Sequence, residues 1–468
     1  MKIDTKHIVH TNPHGLYESQ AKALQELQNW WNSPTIEWTL KGFAGTGKTF
    51  LLKKFIEVVV NKTFTITAPT HKALRVMEQH LGIKGTTLQS LHGLKPDVDM
   101  VGFDIDNLQF NTIGHPKMDN YSLVIIDESS MINTPLFKLN RERATQQNVK
   151  ILYVGDPLQL PPVKEKESKV FTDVDGITEL TQVIRQKDSN PLLELFTLLR
   201  DDIINNTSTC LAYIANHPRN IVNGEGYAMV GINEYKTLLL EYFKNEEFYR
   251  NIDFVRATGF TNNAISDWNN YIRDNIFETG DESLIIDDLI TAYTTLVEED
   301  NSVIITNSED YTISQIRKYR NEYRLDVYCV ELKSASTGKL TKVLQILDHS
   351  EPSNVQHYVD ILNELRNRAI EIKGRKGWFP YYKFKNTILA MVNVEIGTKK
   401  LPRELDYGYS LTVHKLQGST FKNIFIDGND ICNPISKWGR PYPTELNLRN
   451  RLLYVALSRA TNIAYIKF

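Results

Sequence analysis

The sequence predicts an α/β protein built on parallel β-sheets, and three observations carry that expectation. A glycine-rich stretch, Gly42-Phe43-Ala44-Gly45-Thr46-Gly47-Lys48-Thr49, satisfies the full GxxxxGK-Ser/Thr spacing directly after the apolar run 36–40, the strand-to-helix setting in which such a loop cradles phosphate groups. Short apolar runs alternate with helical periodicity to about residue 180: Phe64-Thr65-Ile66-Thr67 before 71–81, then 123–126 and 149–154. That is the pattern of a sheet covered on both faces by helices. A second α/β pattern runs through 253–260 and 264–276 and resumes at 409–411, 424–426 and 450–468.

Length and composition set the outer limits. With 468 residues, 41% of them hydrophobic, the chain can fill roughly two to four cores, since domains typically hold about 100–200 residues. Cys210, Cys329 and Cys432 are far apart and form no CxxC pair, so neither a disulfide framework nor a zinc site is indicated and a reducing, cytoplasmic setting fits. No apolar run approaches the ~18 residues of a membrane span, and the first residues have no signal-like core. A soluble, untargeted chain with no membrane partner is expected. A formal net charge of -2 and a pI near 6.6 exclude a protein that coats nucleic acid by bulk charge. Any such site must be local. Residues 281–300 carry seven acidic and no basic residues, most simply a solvated face, whereas 366–403 carry ten basic against two acidic.

Taken in order, the elements place chemistry at strand ends. In the first, Gly42, Ala44, Gly45, Thr46 and Gly47 let successive backbone N–H groups curl round phosphates, Lys48 reaches the β and γ oxygens, and the Thr49 hydroxyl ligates Mg²⁺. The helix over 50–60 adds the positive end of its dipole. A nucleoside triphosphate with Mg²⁺ is the ligand this implies. Between 93 and 120 the periodicity fails and Gly- and Pro-punctuated pieces appear, as for an inserted hairpin or loop. The strand at 123–126 ends in Asp127-Glu128, where an acidic pair meets a metal and a water: Asp127 to hold Mg²⁺ through its water shell, Glu128 to orient or deprotonate the attacking water. The next strand ends in Gly155-Asp156-Pro157-Leu158-Gln159-Leu160-Pro161-Pro162, with Gln159 placed to sense the γ-phosphate and the two prolines stiffening the chain that leaves the turn. Residues 279–403 alternate Thr, Tyr, Val and Ile as strands do, with one helical stretch at 355–372, and read as an insertion of mixed, β-barrel character.

The order of these motifs resembles the superfamily 1 helicases, and within them the RecD-like 5′-to-3′ group (superfamily 1B) with its Dda-like phage branch. Tyr17-Glu18-Ser19-Gln20 is similar to the Q motif, with Gln20 as adenine reader. Ala68-Pro69-Thr70-His71-Lys72-Ala73 matches motif Ia and Thr87-Leu88-Gln89-Ser90 the DNA-contact block after it. Leu180-Thr181-Gln182-Val183-Ile184-Arg185 resembles the block whose arginine touches the γ-phosphate, and Phe260-Thr261-Asn262 the short motif of the second motor domain. Tyr409-Ser410-Leu411-Thr412-Val413-His414-Lys415-Leu416-Gln417-Gly418-Ser419-Thr420 matches motif V, and Tyr454-Val455-Ala456-Leu457-Ser458-Arg459-Ala460 matches motif VI with its arginine finger.

The resemblance implies two RecA-like P-loop motor domains with an inserted β-hairpin pin and an inserted small, SH3-like β-barrel. Residues 1–179 form the first motor domain, with the pin at 93–120, 180–278 with 404–468 the second, and 279–403 the barrel and tower. It also implies an ATP-dependent 5′-to-3′ DNA helicase acting as a monomer on single-stranded DNA and fork duplex in phage replication or recombination, in the host-cell cytoplasm. Single-strand-binding or replisome proteins are candidate partners. The implied catalytic residues are Lys48, Glu128, Gln159, Arg185 and Arg459. DNA contacts fall on Pro69, Thr70, His71, Thr87, Ser90, Thr261, Asn262, Thr412, His414 and Lys415, and Arg185 and Arg459 on a second domain would couple hydrolysis to closure. Phe103 and Phe110 are candidates to stack on the fork junction, or else they anchor the pin to the core. The segment 373–385, with Trp378, interleaves cations and aromatics and either tracks a strand or packs inward. An RNA helicase, or an ATP-driven strand-binding remodeller that unwinds nothing, remains open on the sequence.

Overall fold

Alternation along buried strands builds two cores on one sheet. The computed structural model describes residues 15–105, 108–182, 190–278, 280, 282–298, 300–397, 399–436 and 438–468, without the side chains of 109, 110, 375 and 399. The chain forms two compact units. One is Met1–Gly226 with Gln417–Thr420 and Glu445–Arg459; the other is Tyr227–Leu416 with Phe421–Thr444 and Ala460–Phe468.

In the first unit β1 (Glu37–Gly42), β2 (Phe64–Thr67), β3 (Leu123–Ile126), β4 (Lys150–Gly155) and β5 (Ile177–Leu180) form one parallel sheet, ordered β2-β3-β4-β1-β5. The helices of this unit include α1 (Glu18–Trp31), α2 (Lys48–Val58), α3 (His71–Leu81), α4 (Leu88–His92), α5 (Leu108–Asn111), α6 (Thr134–Gln147), α7 (Leu192–Asn205) and α8 (Thr209–Asn216). Leu123, Ile125, Leu152 and Val154 turn to one face and pack with Leu27, Trp30, Phe55 and Met77 of α1–α3. Val124, Ile126, Ile151 and Tyr153 turn to the other and pack with Leu88, Leu91, Leu136 and Phe137 of α4 and α6. A strand buried on both faces reads as a continuous apolar run because successive side chains enter different cores.

The described residues of 93–120 contain no paired strands of the expected β-hairpin. Among the described residues they contribute one bridge, Leu94 to Thr112, the short α5 and a 3₁₀ turn at Met118–Asn120. Leu94, Met100, Phe103 and Met118 insert into the second core. Phe103, only 4% exposed, is therefore a core residue and not a pin tip. Burial of a large ring outweighs its exposure at a tip, and Asn133 Nδ2 also ties down the Phe103 carbonyl at 2.8 Å. The Phe110 side chain lies outside those described.

The boundary falls inside β7 (Glu225–Val230), the partner of β6 (Arg219–Val222), and the second unit runs on from Tyr227 through α9 (Ile232–Phe243), α10 (Glu246–Arg250), β8 (Val255–Gly259) and α11 (Asn262–Ile276). An insertion then runs from β9 (Leu289–Ala292) through the pair β10 (Leu296–Val297) and β11 (Val303–Ile305) to the long antiparallel hairpin of β12 (Asp310–Arg320) and β13 (Asp326–Ser334). After β14 (Leu344–Leu347) come α12 (Pro352–Ile372), α13 (Gly374–Thr387), β15 (Ile388–Leu389), the pair β16 (Val394–Ile396) and β17 (Lys399–Leu401), and β18 (Leu405–Tyr407). The insertion's main sheet is ordered β15-β14-β13-β12-β9-β18. No pairing joins β15 to β18 among the described residues, so the strands form an open sheet where the resemblance implies a closed barrel. The chain returns with β19 (Ser410–Thr412), α14 (Val413–Leu416), β20 (Phe421–Asp427), α15 (Gly428–Cys432), α16 (Leu446–Ser458) and β21 (Ala460–Lys467). The last sheet is ordered β19-β8-β20-β21-β7-β6.

Two boundaries differ from those read in the sequence. The first unit continues past 179 to Gly226, because α7 packs against α16. For the same reason α16 and Arg459, expected in the second domain, cluster with the first unit.

Candidate nucleotide and strand site

All the predicted nucleotide residues of the first unit that the structure describes converge at or beside the carboxyl edge of its sheet, where ligands of parallel sheets bind. β1 runs into the phosphate loop, whose Gly45 and Gly47 take φ of +82° and +77°, conformations that cost glycine little and other residues much. A Cβ on Gly42 would come within 2.7 Å of Thr46 Oγ1 and 3.0 Å of Leu180 Cβ. Lys48 opens α2 and its Nζ donates back to the carbonyls of Gly42 (2.7 Å) and Phe43 (3.1 Å), closing the loop over a space rimmed by backbone N–H groups. Thr49, next in the helix, is exposed. Gln20, at the start of α1, is buried with Nε2 against Gly47, 2.5 Å from where a Cβ would stand, which brings the Q-motif residue to the loop itself.

β3 delivers Asp127 and Glu128. The Asp127 amide continues the ladder by donating to the Thr67 carbonyl at 2.9 Å, and Glu128 then turns sharply with φ +48°. A left-handed Glu costs of order 1–3 kcal/mol and persists only where its surroundings fix it. Burial pushes both carboxyls up. Glu128 reaches about 7, with Asp127 beside it acting in the same direction and Arg459 and Lys48 opposing. A carboxylate near neutrality is a competent proton acceptor for water.

β4 delivers the next loop. Gln159 is buried and its Oε1 has no hydrogen-bond partner among the described residues, an acceptor left open toward a missing donor. Asp156, to which the sequence reading assigns no role, is wholly buried and accepts from Ala44 N (3.0 Å), Leu158 N (2.9 Å) and Tyr454 Oη (2.7 Å). Tyr454 Oη in turn lies 3.0 Å from Ala44 N. Burial first, and then the Asp156 charge, hold the Tyr454 phenol well above its usual range, so it stays a donor. Arg451, one turn earlier in α16, donates to the carbonyls of Pro157 (2.8 Å) and Gln159 (2.7 Å). Arg451, Tyr454 and Asp156 are the residues sequence reasoning missed. Their signal was present, since Asp156 and Tyr454 sit inside quoted motifs and Arg451 recurs one turn before Tyr454. Arg459 follows α16, donates to the Ser419 carbonyl at 3.1 Å, and its charge favours the ionised form of Glu128. Arg185 lies outside the described residues.

These residues fit a nucleoside triphosphate with Mg²⁺. The glycine cradle excludes a Cβ, Gln159 Oε1 is orphaned, and Lys48 and Arg459 supply cations. Thr49 and Asp127 would hold the metal, and one carboxylate plus one hydroxyl suits Mg²⁺, which keeps waters and phosphate oxygens as its other ligands. Bound there, the metal neutralises charge developing on the phosphates.

The residues assigned to strand contacts separate into groups. Pro69, Thr70 and His71 follow β2, where the Thr70 side chain caps α3 by accepting from Ala73 N at 3.2 Å. Thr87 caps α4 in the same way from Ser90 N, also at 3.2 Å. In the second unit, Thr261 and Asn262 follow β8 and Thr412 ends its parallel neighbour β19, so both motifs share one sheet edge. The Phe260 and His414 rings stack there at 6.1 Å. Asp430 accepts from Thr261 N (2.8 Å) and from Thr261 Oγ1 (2.7 Å). Lys415 points into the insertion, over the Tyr293 ring at 3.7 Å and toward the Asn307 amide oxygen at 3.2 Å. Trp378 is half-buried against the core of the insertion.

Two family models match in succession, an AAA domain over residues 15–216 and a UvrD-like helicase C-terminal domain over 407–466. An uncharacterized protein of Acanthamoeba polyphaga mimivirus is 26% identical over 90% of this chain and 93% of its own length. The ATP-dependent DNA helicase Dda of Enterobacteria phage T4 is 28% identical over 54% of this chain and 55% of its own. The crystal structure of Pif1 helicase from Candida albicans shares the fold, with a TM-score of 0.50 at 16% identity over 97% of this chain and 94% of that one. No helix among the described residues is long and apolar enough to cross a membrane. A first half of AAA type, a UvrD-like helicase segment after it, and a Dda likeness spanning half of each protein have one common source: the chain belongs to superfamily 1B of the helicases, as a relative of Dda.

Proposed function

We propose that this chain, an ATP-hydrolysing DNA helicase by family, translocates 5′-to-3′ on single-stranded DNA and separates duplex at a fork, as a monomer, in replication or recombination of a phage-like genome within the host cell. The observation that carries the reading is the double engagement of one helix end. Tyr454 in α16 is hydrogen-bonded to Asp156 and touches the phosphate loop at Ala44, and the charge of Arg459, just beyond it, acts on the Glu128 carboxyl. A γ-phosphate arriving at Lys48 therefore changes the electrostatic surroundings of the segment that carries the arginine finger, which is how hydrolysis becomes movement.

In this reading Lys48 and the amides of 44–49 bind the phosphates and Gln20 the base, while Thr49 and Asp127 hold Mg²⁺. Glu128 takes a proton from the attacking water, and Gln159, Arg185 and Arg459 answer to the γ-phosphate. Backbone phosphates lie against Pro69, Thr70, His71, Thr87 and Ser90 on one unit and Thr261, Asn262, Thr412 and His414 on the other, with Lys415 contributing if it leaves Tyr293. Strand separation does not depend on Phe103. The deciding test is ATP-dependent unwinding of two otherwise identical DNA duplexes, one with a 5′ and one with a 3′ single-stranded tail. Unwinding of the 5′-tailed duplex alone is the expected result. Unwinding from the 3′ tail would overturn the polarity, and failure on both with strand-stimulated ATPase intact would leave a translocase that does not unwind.

A further inference from the structure

The basic run at 366–403 becomes a surface once α13 is placed. Tyr381 and Phe384 face inward, where Phe384 stacks on Tyr358 at 5.4 Å beside Leu362, so the helix is anchored without its remaining aromatics. Phe379 and Tyr382 stay 54% exposed each. Lys376 precedes Phe379 by three residues and Lys383 follows it by four, the two spacings that place side chains on one helix face. Neither lysine has an ion pair among the described residues. Across a cavity of about 380 Å³ stand Lys342, which is held by Glu298, and Gln345, with Asn386 at the end of the stripe.

Tyr382 is held edge-on to Tyr381 at 5.2 Å and beside Trp378 at 5.9 Å, yet half of it and of Phe379 stays in solvent, and exposed rings flanked by exposed cations are poor decoration for a solvated face, since each exposed ring forgoes burial. They suit unpaired bases, which offer π-faces, on a backbone that offers phosphates. Lys376 and Lys383, both exposed, supply the complementary charge, and a duplex would keep its bases from Phe379 and Tyr382. We propose that this face of α13 is a second contact for single-stranded DNA, with bases on Phe379 and Tyr382 and phosphates on Lys376 and Lys383. It rests on the strand-translocating reading above and adds to the contacts made by the motor motifs. Trp378, which the sequence singled out, is the anchor beside it.

The test compares an oligothymidylate of about 8 nucleotides with one of about 30, binding the full chain at several salt concentrations, in wild type and in two exposed-surface variants, Lys376→Glu with Lys383→Glu and Phe379→Ala with Tyr382→Ala. Wild type should bind the long strand more tightly. Each variant should lose on the order of tenfold on the long strand and little on the short one, stacking accounting for the loss in the aromatic pair. The lysine pair should also reduce the salt slope by about 1.4, at ~0.7 per phosphate contact on single strands. Wild-type affinity of both variants for the long strand overturns the proposal. So does concentration-dependent self-association that vanishes in the variants with DNA binding unchanged, which assigns the face to a second copy of the chain. A wild-type protein that binds neither strand overturns the strand-translocating reading itself.

Discussion

Asp156 ties the phosphate loop, its own turn and α16 together through one buried carboxylate. Replacing Tyr454 with Phe removes one donor and keeps the ring against Phe196. A hydrogen bond to a charged group contributes about 1.5–3 kcal/mol, so we expect DNA-stimulated ATPase to fall by roughly tenfold or more, read as steady-state phosphate release. An unchanged rate would make the contact a bystander. Lys48→Ala should reduce turnover by at least about 100-fold, the usual loss when one fixed stabiliser of developing charge is removed. Glu128→Gln preserves shape but accepts no proton. Nucleotide binding, followed by a fluorescent ATP analogue, should persist while turnover drops by about 100-fold or more.

Three of the four threonines that the sequence assigns to strand contacts, Thr70, Thr87 and Thr261, cap helices. Cap and contact are compatible, because the hydroxyl that fixes a helix start also fixes the N–H groups a phosphate would meet. The segment 93–120 misleads because turn-rich composition fits a hairpin tip and a core-covering loop alike. Only the apolar spacing of Leu94, Met100, Phe103 and Met118 separates the two, and its irregular period matches neither helix nor strand. We therefore expect Phe103→Ala to destabilise the first unit by about 3–5 kcal/mol in chemical unfolding, and not to spare ATPase while lowering unwinding alone. α4 adds a pH dependence. His92 is buried with Nε2 2.8 Å from Asn140 Oδ1, Arg143 donates to its carbonyl, and burial followed by the Arg143 charge holds its imidazole down to about 3. The unfolded chain takes up this proton near 6.5 and the folded chain only near 3, so the neutral ring's contribution is complete above about 6.5 and is lost as pH falls toward 3. Urea midpoints taken from neutral pH down to about 5 should fall less steeply in His92→Gln, by the equivalent of about 1–2 kcal/mol. Parallel curves would show that His92 does not carry the effect.

Nucleotide binding should register in the whole chain as stabilisation of the folded state. With a non-hydrolysable ATP analogue and Mg²⁺ at about 100 times Kd, the expected gain is about 2.7 kcal/mol, seen as a rise in Tm that Lys48→Ala abolishes. Much was already legible in the chain. The phosphate loop and the acidic pair are local, since each needs a few residues at fixed spacing at the end of one strand, and they follow β1 and β3 as the apolar runs before them anticipated. The remainder is set by burial and by contacts between distant segments. Phe103 and Trp378 turned inward because a large ring gains more in a core than at a surface. The insertion's strands paired as an open sheet, since strand periodicity carries no information on closure. The candidate nucleotide site acquired Asp156, Tyr454 and Arg451 because the chain returned α16 some 300 residues later to the turn after β4, a proximity that no spacing along the sequence encodes.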